Sequence, residues 1–556
     1  MTNDNKRMRI DSMAYRGISG VEETNRDNRI ALWQRQRYGM FIHWGPYSVW
    51  GGEHNGKTVT TGYSEQIQMW DNMLESEYIQ AAPELGTAFD PDAICRLAKE
   101  AGMQYIVITS KHHDGFAMFD TDTTDYNIVK QTALGKDPLK LLSDACEKHG
   151  LGFGVYFSLV DWHQGHDFDH NNNNTISSAM ETVLKEQLRE LMTHYGPIVE
   201  VWFDMASPTN RQSSDFRKIV RKLQPQAAIN SRIWNNAGDF RTLADNQIPS
   251  YTLDGPWQTP ASIYNETWGY RRWQVRDDLS GKVRHLVESL VRVRARGGNY
   301  LLNIGLRGDG SIVPFEADVL KQIGDWVHHH HKAIIDAQST RFDRHEWGEL
   351  TYGGSDLFLH VTEGIPDNRE LLVKGLVSNV NKVVDDSTNE PLSWHMDDVG
   401  LTVVLPDKEA EDLLPVIRVE LEDELCIIPA FTVKERDGSW LITDDDLYDG
   451  RGFKDSGNYN TLAATTVRKT AFITNHTPGK VTLRFKGNVN DETRRYHVQV
   501  GEEMETVTGK RLLTSTVGPF KVESETVVPL HITLADAVHM GEALGLNIEA
   551  ITLEKE

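Results

Sequence analysis

Asp204 closes the apolar run "VEVWFDMA" (199–206). An acid at the tip of a strand is either a turn former or a carboxylate held rigidly for chemistry. Other reactive side chains stand at the ends of similar runs. His43 and Trp44 end "YGMFIHW" (38–44), and Glu53 follows in a glycine-rich loop. "SKHHDGF" (110–116) sets His112, His113 and Asp114 side by side. Tyr156 lies in "LGFGVYFSL" (151–159), with Asp161, Trp162 and His163 just beyond. Trp202 shortly precedes Asp204. Arg232 is followed by "NAGDFRTLADNQIP" (236–249), which carries Asp239 and Asp245, and then by "ETWGYRRW" (266–273), with Glu266, Trp268 and Tyr270. Aromatic rings stack on the apolar faces of sugars, and His, Arg and carboxylate groups bond to hydroxyls. A metal site is the rival use of His43, His112 and His113. Adjacent strand residues point to opposite sides, so a shared ion would need a break in the strand. No metal and no cofactor is expected.

These residues need a scaffold that gathers them on one face. From residue 30 to 330, short apolar runs alternate with amphipathic stretches. Strands are expected at 38–44, 103–110, 151–159, 197–204, 227–230 and 299–305. Helices are expected at 90–102, 137–150, 175–196, 215–225, 280–298 and 315–331. "DPDAICRLAKEAG" and "DPLKLLSDACEKHG" each open on an Asp-Pro pair, an N-cap followed by proline in the first turn. Strand–helix alternation of this length suits a (β/α)8-like barrel, whose active site lies at the C-terminal ends of the strands. The doubly wound alternative wants a glycine-rich phosphate loop after the first strand, and "HWGPYSVWGGEHNG" is not one. Beyond about residue 335 the pattern becomes short alternating strands, the signature of one or two β-sandwich domains. The expected organisation is a catalytic barrel over 1–334, a β-sandwich over 335–437 and a second sandwich-like domain over 438–556.

The 556-residue chain exceeds a single hydrophobic core. Its formal net charge of -23 disfavours nucleic acid and anionic membrane as partners. Cys95, Cys146 and Cys426 have neither disulfide nor metal spacing, and are read as packed thiols where they fall in helices. The N-terminal segment has no apolar signal region and no run is long enough to span a bilayer, so a cytoplasmic location is expected. The tract His328 to His331 cannot turn all its rings to one ion from a helix.

Five segments together carry a resemblance: "RYGMFIHWGPYSVWGGEHNG", "LAKEAGMQYIVITSKHHDGFAMFDTDTTDYNIV", "LLSDACEKHGLGFGVYFSLVDWH", "HYGPIVEVWFD" and "RARGGNYLLNIGLRGDGSI". In this order they resemble the α-L-fucosidases of glycoside hydrolase family 29. The resemblance implies a barrel followed by a β-sandwich, and hydrolysis of terminal α-L-fucosides with retention through a covalent glycosyl-aspartate. It places Asp204 on the nucleophile. It places His43, His112, His113, Tyr156, Trp202 and Arg232, with Trp44, among the groups that hold the sugar or flank the nucleophile. Glu53 matches a sugar-binding glutamate, and Trp268 an aromatic against the C5 methyl. A fucosylated oligosaccharide or glycoconjugate is the implied partner.

The sequence departs from the family at the second carboxylate. Counting back from Ile248-Pro249 sets Asp245 where relatives carry the acid/base glutamate, with Glu266 and Glu53 as alternatives. Gln258 replaces a glutamate in "PWQTP". Two other functions stay open on these residues. One is a related exo-glycosidase on a fucose-like sugar, an L-galactoside or D-arabinoside. The other is a non-catalytic sugar-binding barrel. The C-terminal β region is left to bind glycan or to pack on a neighbouring subunit of a homo-oligomer.

Overall fold

The computed structural model describes residues 26–249, 256–340 and 345–556, apart from 377, 398, 408–412, 423–424, 426–431, 454–461, 476, 524–525 and 536–542. Cys426 lies outside the described residues. Two compact units divide the chain at Gln338/Ser339.

The first unit holds eight parallel strands: β1 (Tyr38–His43), β2 (Tyr105–Lys111), β3 (Gly152–Ser158), β4 (Ile198–Asp204), β5 (Ala228–Ile229), β6 (Arg241–Thr242), β7 (Trp257–Ser262) and β8 (Asn299–Gly305). Their order in the sheet is 5-4-3-2-1-8-7-6. That is a (β/α)8-like barrel cut between β5 and β6. A single parallel bridge, Asn230 to Phe240, spans the cut.

Around the strands run α1 (Arg26–Gln34), α2 (Pro91–Glu100), α3 (Pro138–His149), α4 (Ser178–His194), α5 (Asn210–Leu223), α6 (Leu279–Ala295) and α7 (Pro314–His329). Asp90 caps α2 by accepting from the Ala93 N–H, and Asp137 caps α3 through Lys140. Both helices start where the Asp-Pro pairs predict. Among the described residues no α-helix joins β5 to β6 or β6 to β7. The expected strand at 227–230 shrinks to Ala228–Ile229, and β6 and β7 have no counterpart among the expected strands. β6 is two residues long, and β7 ("WQTPAS") is too polar to read as an apolar run.

Asp239 closes the seam that the missing helix leaves. It is fully buried, and its N–H donates to the Ile229 carbonyl at 2.7 Å. Its carboxylate accepts the Ile229 N–H at 2.9 Å, Arg29 from α1 at 2.9 Å, and Arg221 from α5. An ion pair so buried is retained where its hydrogen bonds are complete. Asp239, which the sequence places in the same loop as Asp245, therefore belongs to the barrel seam.

Inward residues alternate along each strand. Glu200, Trp202 and Asp204 of β4 stack toward the C-terminal end, and Phe41 and His43 do so on β1. Phe41, Tyr105, Val107, Tyr156, Trp202, Trp268 and Leu301 form one buried cluster that fills the barrel beneath the strand ends. Gly39 leaves room for the Tyr105 ring, which a Cβ there would overlap.

The second unit is antiparallel but for the short parallel pairing of Thr432–Val433 with Leu462–Asn475. β9 (Glu349–Gly353), β10 (Asp356–His360), β12 (Val380–Asp385) and β15 (Val416–Leu421) share one sheet; β11 (Glu370–Lys374), β13 (Ser393–Met396) and β14 (Gly400–Val404) form another. Leu357, Leu359, Val383, Ile417 and Val419 of the first pack with Leu371, Val373, Leu401 and Val403 of the second. That is the face-to-face packing of a β-sandwich. Two further sheets follow. One contains Leu462–Asn475, Arg495–Val500, Glu503–Thr508 and Thr526–Leu534; the other contains Ser439–Thr443, Gly479–Val489, Val517–Val522 and Leu546–Lys555.

Gly39→Ala is expected to cost about 1–3 kcal/mol of stability by overpacking, read as a lowered midpoint in denaturant unfolding. Adding Tyr105→Leu should recover part of that loss. Equal stability of Gly39→Ala and the parent would contradict this packing.

Candidate active site

A pocket opens at the C-terminal ends of the strands. It is lined by Phe41, His43, Tyr63, Glu65, Gln66, His112, His113, Tyr156, Trp202, Asp204, Met205, Arg232, Asp245 and Trp268.

Asp204 is the last residue of β4. Its Oδ2 accepts the Tyr156 hydroxyl at 2.8 Å, and its Oδ1 accepts Arg232 Nη1 at 3.0 Å. Burial pushes its carboxyl pKa up, and Arg232 and Tyr156 work in the opposite direction. Arg232 sits on a short 3-10 turn, Ser231–Ile233, directly after β5. Its second arm, Nη2, donates to Asp245 Oδ1 at 2.7 Å and to the Leu243 carbonyl at 3.3 Å. One buried guanidinium therefore bridges two carboxylates. Burial works against its charge, but Asp245 and Asp204 outweigh burial and hold it protonated. The guanidinium also lies 4.7 Å above the Trp202 ring, a cation–π contact that adds attraction in a desolvated site.

Asp245 is placed by a turn laid against β7. Leu243 N donates to the Gln258 carbonyl at 3.0 Å and Asn246 N to the Pro260 carbonyl at 2.9 Å. The Asn246 side chain accepts the Ser262 N–H at 2.7 Å. Asn246 adopts a φ of 59°, a left-handed conformation that Asn tolerates better than most residues. Asp245 Oδ1 meets Arg232, and Oδ2 makes no hydrogen bond to the described residues.

The paired histidines reach the same pocket because β2 ends at Lys111 and the chain then turns. At Gly115 (φ 76°) a Cβ would overlap the Asp161 carboxylate, so the turn needs glycine. Asp161 holds Lys111 at 2.7 Å in a buried ion pair behind His113. Ser158 Oγ donates to the Val160 carbonyl at 2.8 Å, so at 2.6 Å it must accept from His113 Nδ1. His113 Nε2 then carries the lone pair, 3.9 Å from Asp204. Asn303 is oriented by the bond from its Nδ2 to the Trp268 carbonyl at 2.7 Å, so its Oδ1 accepts from His43 Nδ1 at 2.7 Å. His43 Nε2 is likewise an acceptor. Burial lowers His43 to a pKa of about 4 and His113 to about 3, and holds His112 well below the ordinary value. His112 Nδ1 is buried with no partner among the described residues. The pocket thus presents neutral imidazoles with unused nitrogens, suited to sugar hydroxyls.

Glu65 has no counterpart among the expected site residues. It lies in "YSEQ" (63–66), on a short 3-10 turn with no strand before it, so no pattern marked it. It is buried in the pocket wall, and its Oε2 accepts the N–H groups of Gly269 at 2.8 Å and Trp268 at 3.2 Å. Burial raises its pKa to about 7. Glu65 fixes the backbone that carries Trp268. Gln258 proves to be a beam under the pocket. It accepts the Trp202 indole N–H at 2.9 Å and donates to Glu200 at 3.0 Å.

Three expected residues are not brought to the pocket. Trp44 turns away from it and stacks on Phe89 at 4.9 Å. Glu53 pairs with Arg272 at 2.8 Å on a short hairpin. Glu266 is largely exposed and pairs with Arg271 at 3.4 Å. Of the three carboxylates considered as acid/base, Asp245 lines the pocket and Glu53 and Glu266 do not. Among the described residues no group of three His, Cys, Asp or Glu could hold a metal ion, and no helix is long and apolar enough to cross a membrane.

Two carboxylates at the strand ends of a (β/α)8-like barrel, inside a cage of aromatics and neutral histidines, define a glycoside hydrolase. The sequence profile described as Alpha-L-fucosidase matches residues 16–332, and the chain belongs to that family, glycoside hydrolase family 29. The tissue alpha-L-fucosidase of Homo sapiens is 28% identical over 404 residues, covering 68% of this chain and 85% of that protein. A GH29 alpha-L-fucosidase of Bacteroides thetaiotaomicron, solved as a trapped covalent intermediate with 2-fluoro-fucosyl fluoride, is 26% identical. It superposes with a TM-score of 0.66 over 73% of this chain and 99% of its own. The alpha-L-fucosidase of Vibrio sp. strain EJY3, 24% identical, shares the fold with a TM-score of 0.68 over 96% of this chain and 98% of its own.

The imidazoles of His43 and His113 are expected to stay neutral down to about pH 5, since both folded pKa values lie well below the ordinary 6.5. Nitrogen-15 NMR of the labelled rings reads this directly, and a titration midpoint near 6.5 for either would contradict the burial argument. Glu65→Ala strands the Trp268 and Gly269 N–H groups. It is expected to cost about 1–3 kcal/mol of stability and to raise KM more than it lowers kcat.

Proposed function

We propose that the protein hydrolyses terminal α-L-fucosides with retention of configuration, with Asp204 as nucleophile and Asp245 as acid/base. The observation that carries this reading is the guanidinium of Arg232, which holds the two carboxylates side by side at the pocket. That proximity is in keeping with the ~5–5.5 Å between carboxyl groups of retaining enzymes, rather than the ~6.5–9.5 Å of inverting ones. The covalent intermediate trapped in the Bacteroides thetaiotaomicron relative supports the same course.

Asp204 is fixed by Tyr156 and Arg232 along the line of attack on the anomeric carbon. Pre-orientation of this kind replaces much of the entropy cost of reaction. Asp245 enters the cycle protonated on Oδ2, with Oδ1 accepting from Arg232. As Asp204 bonds to C1 and the C1–O bond breaks, Asp245 gives that proton to the leaving oxygen and becomes a carboxylate. Its Oδ2 is the atom available for that proton. The carboxylate then takes a proton from water, whose oxygen attacks C1 and frees Asp204. His43 and His113 accept hydrogen bonds from sugar hydroxyls through Nε2, and Trp268 covers the apolar edge that bears the C5 methyl. A methyl pocket discriminates by only about 1–3 kcal/mol, so the imidazole acceptors contribute most of the selection among sugars.

Asp204→Ala is expected to abolish turnover of an aryl α-L-fucoside, and Asp245→Ala to lower it about 10²–10⁴-fold. Azide should restore Asp245→Ala and give the α-azide, formed from the vacated acid/base side. Full activity in Asp204→Ala would overturn the nucleophile assignment, and azide rescue of Glu266→Ala in place of Asp245→Ala would overturn the acid/base assignment. Preferential cleavage of the L-galactoside or D-arabinoside analogue would overturn the fucoside assignment.

A further inference from the structure

The pocket lining divides by burial. His43, Glu65, His113, Tyr156 and Arg232 are buried and make the closed end, whereas Tyr63, Gln66, Met205 and Asp245 are half-buried and make the mouth. A leaving group protonated by Asp245 must lie at this mouth. Met205, the residue after Asp204, lines the pocket at this mouth.

The backbone at Met205 is unusual. Met205 and Ala206 have φ of 55° and 59°, two consecutive non-glycine residues in the left-handed region. The Met205 carbonyl accepts the Trp234 indole N–H at 3.2 Å. Trp234 itself has φ 66° and ψ -179°, a conformation that is essentially reserved for glycine. Asn235 and Asn236 continue with φ of 55° and 56°, and Asn235 donates to the Pro208 carbonyl at 3.0 Å. Two strained turns are thus tied to each other beside the nucleophile. Strain of this kind persists where the surrounding structure over-determines it, and it clusters at active sites and ligand clamps.

We infer that Met205, held at the mouth by Trp234, is the wall against which the apolar face of the leaving group lies, and that it sets aglycone preference. This inference rests on the fucosidase reading and deepens it. The ligand class is an aglycone with an apolar face, an aryl ring or the hydrophobic side of a pyranose. A flexible, polarisable thioether adapts to such faces without demanding one shape, so the wall favours apolar aglycones as a class.

The test compares 4-nitrophenyl α-L-fucoside with α-L-fucosyl fluoride, whose leaving group is too small to reach a wall. The readout is the ratio of kcat/KM on the aryl donor to kcat/KM on the fluoride. Met205→Ala is expected to lower that ratio about tenfold, the scale of a lost apolar contact in a pocket. Met205→Leu, which keeps the apolar surface, should hold it near the parent value. Trp234→Phe, which removes the tie to the Met205 carbonyl, should lower the ratio by a smaller factor. An unchanged ratio in Met205→Ala, or an equal fall in Met205→Leu, overturns the wall while the fucosidase reading stands. Parent protein that cleaves neither donor overturns that reading and the wall with it.

Discussion

The double engagement of Arg232 is the interaction on which the site depends. Its guanidinium is buried, lies over the Trp202 ring, and is bonded to Asp204 on one arm and Asp245 on the other. Two carboxylates brought together out of water repel each other, and the shared cation makes their proximity tenable. It also fixes their relative geometry, because a planar fork with two bonds sets direction as well as distance. Removing Arg232 would therefore disturb both carboxylates at once, whereas losing Tyr156 would disturb only Asp204.

Support for the fork reaches deep into the barrel. Trp202 lies under Arg232, is held by Gln258, and through it connects to Glu200, which also takes the Trp33 indole N–H at 2.7 Å. Burial raises Glu200 to a pKa of about 7. Gln258 suits this position because an amide accepts from an indole and donates to a carboxyl at the same time. A carboxylate at 258 could only accept from both unless it held a proton. The sequence showed this position as a departure from the family, and the structure gives it a job in the floor.

What was legible in the sequence follows from element length and polarity. β1 to β4 and β8 are long and buried, so Asp204, His43 and Tyr156 announced themselves at strand ends. Asp245 was placed by its spacing from Ile248-Pro249, and the structure sets it in the pocket. β6 and β7 were missed because one is two residues long and the other is polar. Glu65 was missed because it belongs to no periodic segment; its role comes from accepting two backbone N–H groups about two hundred residues away in the chain. Trp44 and Glu53 were carried toward the pocket by their nearness to His43. Proximity in sequence could not show that the strand ends at His43, or that Arg272 and Phe89 claim those side chains.

The cut between β5 and β6 has a consequence for how the two carboxylates respond to disturbance. Asp204 ends a seven-residue strand paired along its length with β3 and backed by Phe216 of α5 against Phe203. Asp245 hangs on a turn after a two-residue strand, beside a seam stitched by Asp239 and one bridge. Opening free energies vary across a fold according to such local support. Asp204 is set in masonry and Asp245 on a bracket. A scaffold of unequal stiffness lets Asp245 shift its reach while Asp204 keeps its aim. On such a support, a carboxylate one methylene shorter than the family's glutamate can be accommodated by moving the turn, with the barrel left as it is.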